Sequence, residues 1–387
     1  MNSYNGLLVV IPTRNRSELA INAINSVLTQ PGADNVNVLV SDNSTKTSES
    51  ETLSDFCRKY DDSRLRYIKP PESMNMARHW EWAMNEALHL YNYNHCLFLT
   101  DRMVFKKGTA KTINDLIQAY PDKIISYNID QINDFVEPIT LEQFSWTGKL
   151  FEVNSSHLLK LSSQSTFHTC LPRMLNCVVP RSVAVEIINR FGNVFMSISP
   201  DFCFCYRSLE VTNSIYYYDR PILVSYAVTK SNGANCVRGT NSEDSKDFIA
   251  NLGLQNRLDF LVPLPGIITV GNAIIYEYCF VKQEARSEKF LNIDIIKYMD
   301  YLASETVYLL DDNLTKEIIR ILTSHGWRKY RKYYLYCLLK KMVKGVFYSY
   351  HKFSSVEKAI EYANEHPPKK KSNNIYLHFV LEPIEVS

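Results

Sequence analysis

The chain has 387 residues, 45 % hydrophobic and 22 % charged, a globular balance that excludes wholesale disorder. Its net charge of +2 is too small to argue for nucleic acid as the main partner, so none is expected, although a local basic face appears late in the chain. No apolar run reaches the roughly 18 to 20 residues that cross a bilayer.

The opening MNSYNGLLVVIPTRNR carries no basic segment ahead of its short apolar run, so it reads as no secretory signal. LLVVIP (7–12) is a continuous apolar run suited to a strand buried on both faces. Helical spacing of Leu19, Ile21, Ile24, Val27 and Leu28 predicts a helix over 17–30 with Ser17 as its cap. VNVLVSD (36–42) predicts a second strand, 48–60 a helix, RLRYIK (64–69) a short strand, 76–90 a long helix and HCLFLT (95–100) a further strand. This β-α-β-α order implies an α/β fold with a mainly parallel twisted sheet and helices on both faces. Beyond it, TINDLIQAY (112–120) and SVAVEIINRF (182–191) read as helices, IISYNI (124–129) and 214–228 as strands. After Ser231-Asn232-Gly233 the character shifts, which predicts a domain over 1–235, in halves 1–109 and 110–235. A mainly helical C-terminal extension over 236–387 follows, ending in a strand at IYLHFVL (375–381). The nine scattered cysteines include one C-x-C pair, Cys203 and Cys205, without a second pair at zinc spacing. They read as buried thiols of a cytoplasmic protein.

In open parallel sheets, ligands collect outside the carboxyl ends of the strands. Three polar segments stand there: Pro12-Thr13-Arg14-Asn15, Ser41-Asp42-Asn43-Ser44 and Thr100-Asp101-Arg102. Each begins where an apolar strand stops.

The segments VVIPTRNR (9–16), VSDNST (40–45), NMARHWEWAMNEA (75–87) and LFLTDRMVFKKG (97–108) resemble the family 2 glycosyltransferases of GT-A fold. PDFCFCYRSL (200–209) and YDRPILVSYAVTKSNG (218–233) are similar to the acceptor half of that family. The resemblance implies transfer of a sugar from a nucleoside-diphosphate sugar to an acceptor hydroxyl with inversion, as in polysaccharide biosynthesis. It implies that Asp42 accepts a hydrogen bond from the base, with Pro12, Thr13 and Arg14 lining the nucleoside and Asn43 in the same nucleotide-sugar site; Arg14 and Arg78 also offer planar forks to phosphate. For Asp42 the other reading is an Asx-turn that closes the strand; for Arg14 and Arg78, an exposed surface arginine.

Members of this family carry Asp-x-Asp, which holds Mn²⁺ or Mg²⁺ against the diphosphate. Here Thr100-Asp101-Arg102 stands instead. Asp101 is then the one carboxylate available to a divalent cation, which takes oxygen ligands, and Arg102 is the alternative means of neutralising the leaving group. The resemblance implies that Asp201 is the general base that removes the acceptor proton; otherwise it caps a helix starting near Phe202. Arg207 reads either as orienting that site or as part of a solvated face. His79, His157 and His168 read as packing histidines and Trp80 and Trp82 as core.

The family's Gln-x-x-Arg-Trp motif of processive synthases is absent, so a non-processive enzyme is expected. The basic-aromatic stretch 327–353 reads as a packing helix with snorkelling cations or as a peripheral contact with the inner membrane face. The latter would suit a lipid-linked or glycan acceptor. The helical extension offers an interface for a homo-oligomer. Two other classes fit less well. A catalytically silent binder of nucleotide sugars would explain the missing Asp-x-Asp, whereas a nucleotidyltransferase needs a glycine-rich loop that PTRNRS lacks.

Overall fold

A computed structural model describes residues 6–144, 146–231, 261–265, 267, 269–307, 309, 312–327, 348–368, 370–371 and 380–386. The first two strands, β1 (Leu7–Thr13) and β2 (Val36–Asp42), are buried at every position. Alternate residues of β1 serve different layers: Leu7, Val9 and Ile11 enter one core, Leu8 and Val10 the other. An unbroken apolar run is what a strand covered on both faces requires. Strands β3 (Leu65–Ile68) and β4 (His95–Phe98) complete a wholly parallel block of order β3-β2-β1-β4.

Helices α1 (Ser17–Leu28) and α2 (Thr47–Lys59) cover one face through Ala20, Ile24, Val27 and Leu53. Helix α3 (Met76–Leu90) covers the other through Trp80, Ala83, Met84 and Ala87. Ser17 is not the cap of α1. It is the first helical residue, and its N–H and hydroxyl both donate to Glu49 of α2 (2.8 and 2.6 Å). A carboxylate from the neighbouring helix thus satisfies that helix terminus.

The second half of the sheet is mixed. A short strand, β5 (Met103–Phe105), and helix α4 (Thr109–Ala119) lead into β6 (Ile125–Asn133). Between 134 and 180 the chain forms β7 (Ile139–Phe144), β8 (Leu150–Asn154), α5 (Ser155–Ser163) and β9 (Cys177–Pro180). Helices α6 (Arg181–Phe191) and α7 (Pro200–Val211) and the long strand β10 (Ser214–Ser225) follow. β10 runs parallel to β6, and β9 lies antiparallel between β4 and β6, joining the two halves.

The segment beyond 235 is helical in α8 (Val270–Ala285), α9 (Ile295–Glu305), α10 (Asp312–Ser324) and α11 (Val356–Glu365). α8 inserts Ile274, Tyr278, Val281 and Ala285 into the same core as α7, while α9 and α10 build a satellite cluster with Trp327. Two strands from this segment join the sheet: β11 (Tyr348–Phe353) pairs with β7, and β12 (Ile384–Val386) with β8. The 235 boundary therefore marks a change of composition, and the hydrogen-bonded sheet crosses it. Of the basic-aromatic stretch, 328–347 lies outside the described residues, and its end, 348–353, is strand where a helix was expected. The expected terminal strand at 375–381 lies mostly outside them too; Val380 and Leu381 are helical and the strand is 384–386.

Candidate active site

The chain steps outward from β1 to β2 to β3, then returns to the other side of β1 for β4. That reversal opens a crevice at the carboxyl ends of β1 and β4, where open α/β sheets bind ligands. Thr13, the last residue of β1, donates its hydroxyl to Asp101 Oδ2 at 2.9 Å, a buried bond spanning the crevice. Asp101 Oδ1 faces the Arg16 guanidinium at 3.6 Å. Arg102 is half-buried beside them. Burial lowers its pKa from the usual guanidinium value, Asp101 and Asp134 act to raise it, and Arg16 opposes them. The buried hydroxyl of Thr100 has no hydrogen-bond partner among the described residues.

The loops after β1 and β2 are laced together. Asn43 N–H donates to the Thr13 carbonyl (2.9 Å), and the Asn43 side chain exchanges two bonds with the Met74 backbone (2.8 and 3.0 Å). Arg14 donates to the same Met74 carbonyl at 3.0 Å, which turns its fork inward to the strand ends. Asn15 takes a left-handed backbone (φ 54°), accepts from the N–H groups of Thr45 and Lys46 and binds Ser44, closing the turn. Pro12 is buried inside β1. Arg78 sits in the first turn of α3, exposed and paired with Glu72 at 3.2 Å, at the rim of this cluster.

Asp42 is fully buried and heavily bonded: Oδ1 accepts from Ser44 N–H (2.9 Å), Oδ2 from the hydroxyls of Ser50 and Tyr67 (2.8 Å each). The first of these is the Asx-turn. Three of about four lone-pair sites are used, so one remains for a ligand. Burial pushes the Tyr67 hydroxyl up to about 12, and it donates as a neutral phenol. His79 bonds the Ser41 hydroxyl at 2.8 Å, and burial brings it down to about 4, so it is neutral at physiological pH. His79, His157 and His168 all pack as expected, bonded to Ser41, the Val380 carbonyl and Cys170 N–H.

Asp201 lies one residue inside α7, whose cap position is Ser199; it is half-buried. Burial raises its carboxyl above the ordinary value, while Arg173 and the N–H groups of Phe202 and of Asp201 itself pull the other way. Arg173 is fixed because Asn176 ties its loop, accepting from Arg173 N–H and donating to the Thr169 and Leu171 carbonyls. Its guanidinium also lies 5.7 Å from the Phe202 ring. Asn176 precedes β9, which runs antiparallel to β4 (Pro180 beside His95, Val179 beside Cys96) and therefore begins toward the carboxyl end of β4. The Arg173 loop, with Asp201 in its electrostatic reach, thus stands toward the side of the sheet where β4 ends. Arg207 is neither solvated nor free: it is fully buried, bonded to the Asn193 carbonyl and paired with Glu284 at 2.7 Å.

Residues 8–175 match the profile of Glycosyl transferase family 2. This stretch is a family 2 glycosyltransferase domain. Among solved structures the chain is similar to S. aureus TarS 1–349, at 14 % identity and a TM-score of 0.43, over 80 % of this chain and 82 % of that one. The TarS 1–349 complex with UDP-GlcNAc gives 14 % and 0.44 over the same shares, and the complex with UDP gives 13 % and 0.44 over 85 % and 90 %. No curated protein matches the chain significantly.

The divalent cation implied for this glycosyltransferase family fits these residues poorly. Asp101 spends one oxygen on Thr13 and turns the other to Arg16, with Arg102 alongside. No group of three or more His, Cys, Asp or Glu among the described residues is disposed to hold a metal ion. A cation would enter a site already lined by guanidinium charge.

Three residues of the site escaped sequence reading. Arg16 stands in the quoted PTRNR motif but shows its role only through the return to Asp101. Arg173 has no local signal. Glu277, from α8, accepts from the Ile198 and Ser199 N–H groups at 2.9 and 2.7 Å, immediately before Asp201. Its place beyond 235 hid it. Among the described residues no helix is long and apolar enough to cross a membrane.

Proposed function

We propose that the chain is an inverting, non-processive glycosyltransferase that moves a sugar from a nucleoside-diphosphate sugar to an acceptor hydroxyl. The observation that carries this reading is the crevice at the switch of strand order. There Thr13, Asp101, Arg16 and Arg102 converge, on the side of the sheet toward which the Arg173 loop stands with Asp201 in its electrostatic reach.

The diphosphate would lie against Arg16 and Arg102, with Arg14 and Arg78 toward the rim; guanidinium forks bind phosphate oxygens in pairs. Pro12 and Thr13 would line the nucleoside, Asn43 would shape its pocket, and the remaining acceptor site of Asp42 would take a ring N–H of the base. Thr100 would contribute the hydroxyl that lacks a hydrogen-bond partner among the described residues, and Asp101 would orient Thr13 and Arg16. Asp201 would take the proton of the acceptor hydroxyl as that oxygen bonds to the anomeric carbon. The bond from that carbon to the phosphate oxygen breaks, and its electron pair leaves with the diphosphate. A raised carboxyl pKa makes Asp201 a stronger base, provided it stays ionised at the working pH. One displacement inverts the anomeric centre.

The acceptor would be a glycan or a lipid-linked precursor met at the cytoplasmic face of the membrane. The test is turnover of UDP-, GDP- and dTDP-sugars with such acceptors, the product anomer being read by NMR. Wild type should invert, and Asp201→Asn should lose about 10²- to 10⁴-fold in kcat with donor affinity intact. A retained anomer, or an undiminished Asp201→Asn enzyme, would sink this mechanism.

A further inference from the structure

The loop 193–199 leads straight into Asp201, and three side chains from three helices hold it. Glu81 of α3 accepts from Val194 and Phe195 N–H at 2.9 and 2.7 Å. Arg207 of α7 donates to the Asn193 carbonyl and side chain at 2.9 and 2.6 Å and is anchored by Glu284 of α8. Glu277, two turns before Glu284 on the same face of α8, is fully buried and takes the N–H groups of Ile198 and Ser199. Between these clamps Ser197 has a left-handed backbone (φ 69°), a conformation a non-glycine residue keeps only when its surroundings enforce it.

We propose that Glu277 is a positioning residue for sugar transfer: one carboxylate oxygen fixes Ser199, the cap of α7, and so sets where the Asp201 carboxylate meets the acceptor hydroxyl. This rests on Asp201 being the base. It gives the segment beyond 235 a part in the chemistry, since α8 supplies both Glu277 and Glu284. A displacement of about 1 Å at a reacting group costs about 10²-fold in rate, so a clamp two hydrogen bonds wide is enough to matter.

Glu277→Asp keeps the carboxyl but draws the acceptor oxygen back by one methylene; Glu277→Gln keeps the reach and an acceptor oxygen while removing the ionisable group. With kcat expressed per mole of donor-binding sites, so that unfolded protein is not counted, Glu277→Asp should fall roughly tenfold to a hundredfold. Donor Kd should stay within about twofold, and Glu277→Gln should stay within about threefold of wild type in kcat. Unchanged kcat in Glu277→Asp, or equal loss in both variants, overturns the positioning role. Asp201→Asn in the same series separates the two claims. Full turnover there removes the base itself, whereas a dead Asp201→Asn beside an unimpaired Glu277→Asp removes only the clamp.

Discussion

The two sides of the crevice are built on different principles. On the proposed donor side, polar groups at strand ends satisfy one another: Thr13 with Asp101, Asn43 with Met74, and Asp42 with Ser44, Ser50 and Tyr67. On the proposed acceptor side, Asp201 and Glu277 are carboxyls raised by burial and held by a loop and a helix distant in sequence. A saturated network presets shape and charge; a desolvated carboxyl keeps proton affinity in reserve. The first suits a site that must recognise a fixed polyanion, the second one that must accept a proton at a single moment in the reaction.

The largest expected effect breaks the donor side. If guanidinium groups neutralise the leaving diphosphate, Arg102→Ala or Arg16→Ala should each lower kcat about 10²- to 10³-fold, the range for losing one preorganised electrostatic donor. EDTA should leave wild-type turnover unchanged. Abolition of activity by EDTA with recovery on adding Mn²⁺ would instead return the leaving group to a cation at Asp101.

The fold was legible wherever one period dominated. The runs 7–12 and 36–42 read as doubly buried strands and the spacing over 76–90 as a helix, and the structure has them so. Thr13, Asp42 and Asp101 were legible because strand ends mark themselves by the switch from apolar to polar residues. The stretch 134–180 was not: three short strands and one helix interleave there, and their pairing partners lie up to some two hundred residues away, as β11 on β7 shows. The contact of Arg16 with Asp101 spans the whole β1-to-β4 excursion, and Glu277 reaches Ser199 from beyond the composition change. Such pairings follow from topology, which local pattern does not encode. The caps failed for a related reason: Ser17 looked like a cap until Glu49 from the neighbouring helix took that task.

A second test sharpens the acceptor side through pH. Burial raises Glu277 to about 8 and Glu305 to about 7, from an ordinary 4.5. Between the ordinary and the raised value the folded chain holds protons that the unfolded chain has released, so stability falls as pH rises. His79 and His168, brought by burial to about 4 from 6.5, act in the opposite sense and only below about 6.5. The two effects oppose each other up to about pH 6.5, and above it only the glutamates remain. The melting temperature should therefore decline between pH 6.5 and 8, and Glu277→Gln should flatten most of that decline. A wild-type melting temperature that is level across this interval would show that Glu277 ionises normally and that the acceptor side is wetter than its burial indicates.

The smallest effect isolates a single bond on the donor side. Tyr67 and Ser50 both donate to Asp42 Oδ2, so Tyr67→Phe removes one of three hydrogen bonds to a buried carboxylate without leaving it bare. A hydrogen bond to a charged group contributes about 1.5 to 3 kcal/mol, and the remaining two donors should hold the loss near the lower end. Urea denaturation would read this as a lower midpoint at unchanged slope. If Asp42 accepts from the base as proposed, the lone pair freed on Oδ2 should leave donor affinity level or slightly improved even as stability drops. A parallel fall in both would show that Tyr67 itself shapes the nucleoside site, and the saturated network would then be part of recognition as well as its scaffold.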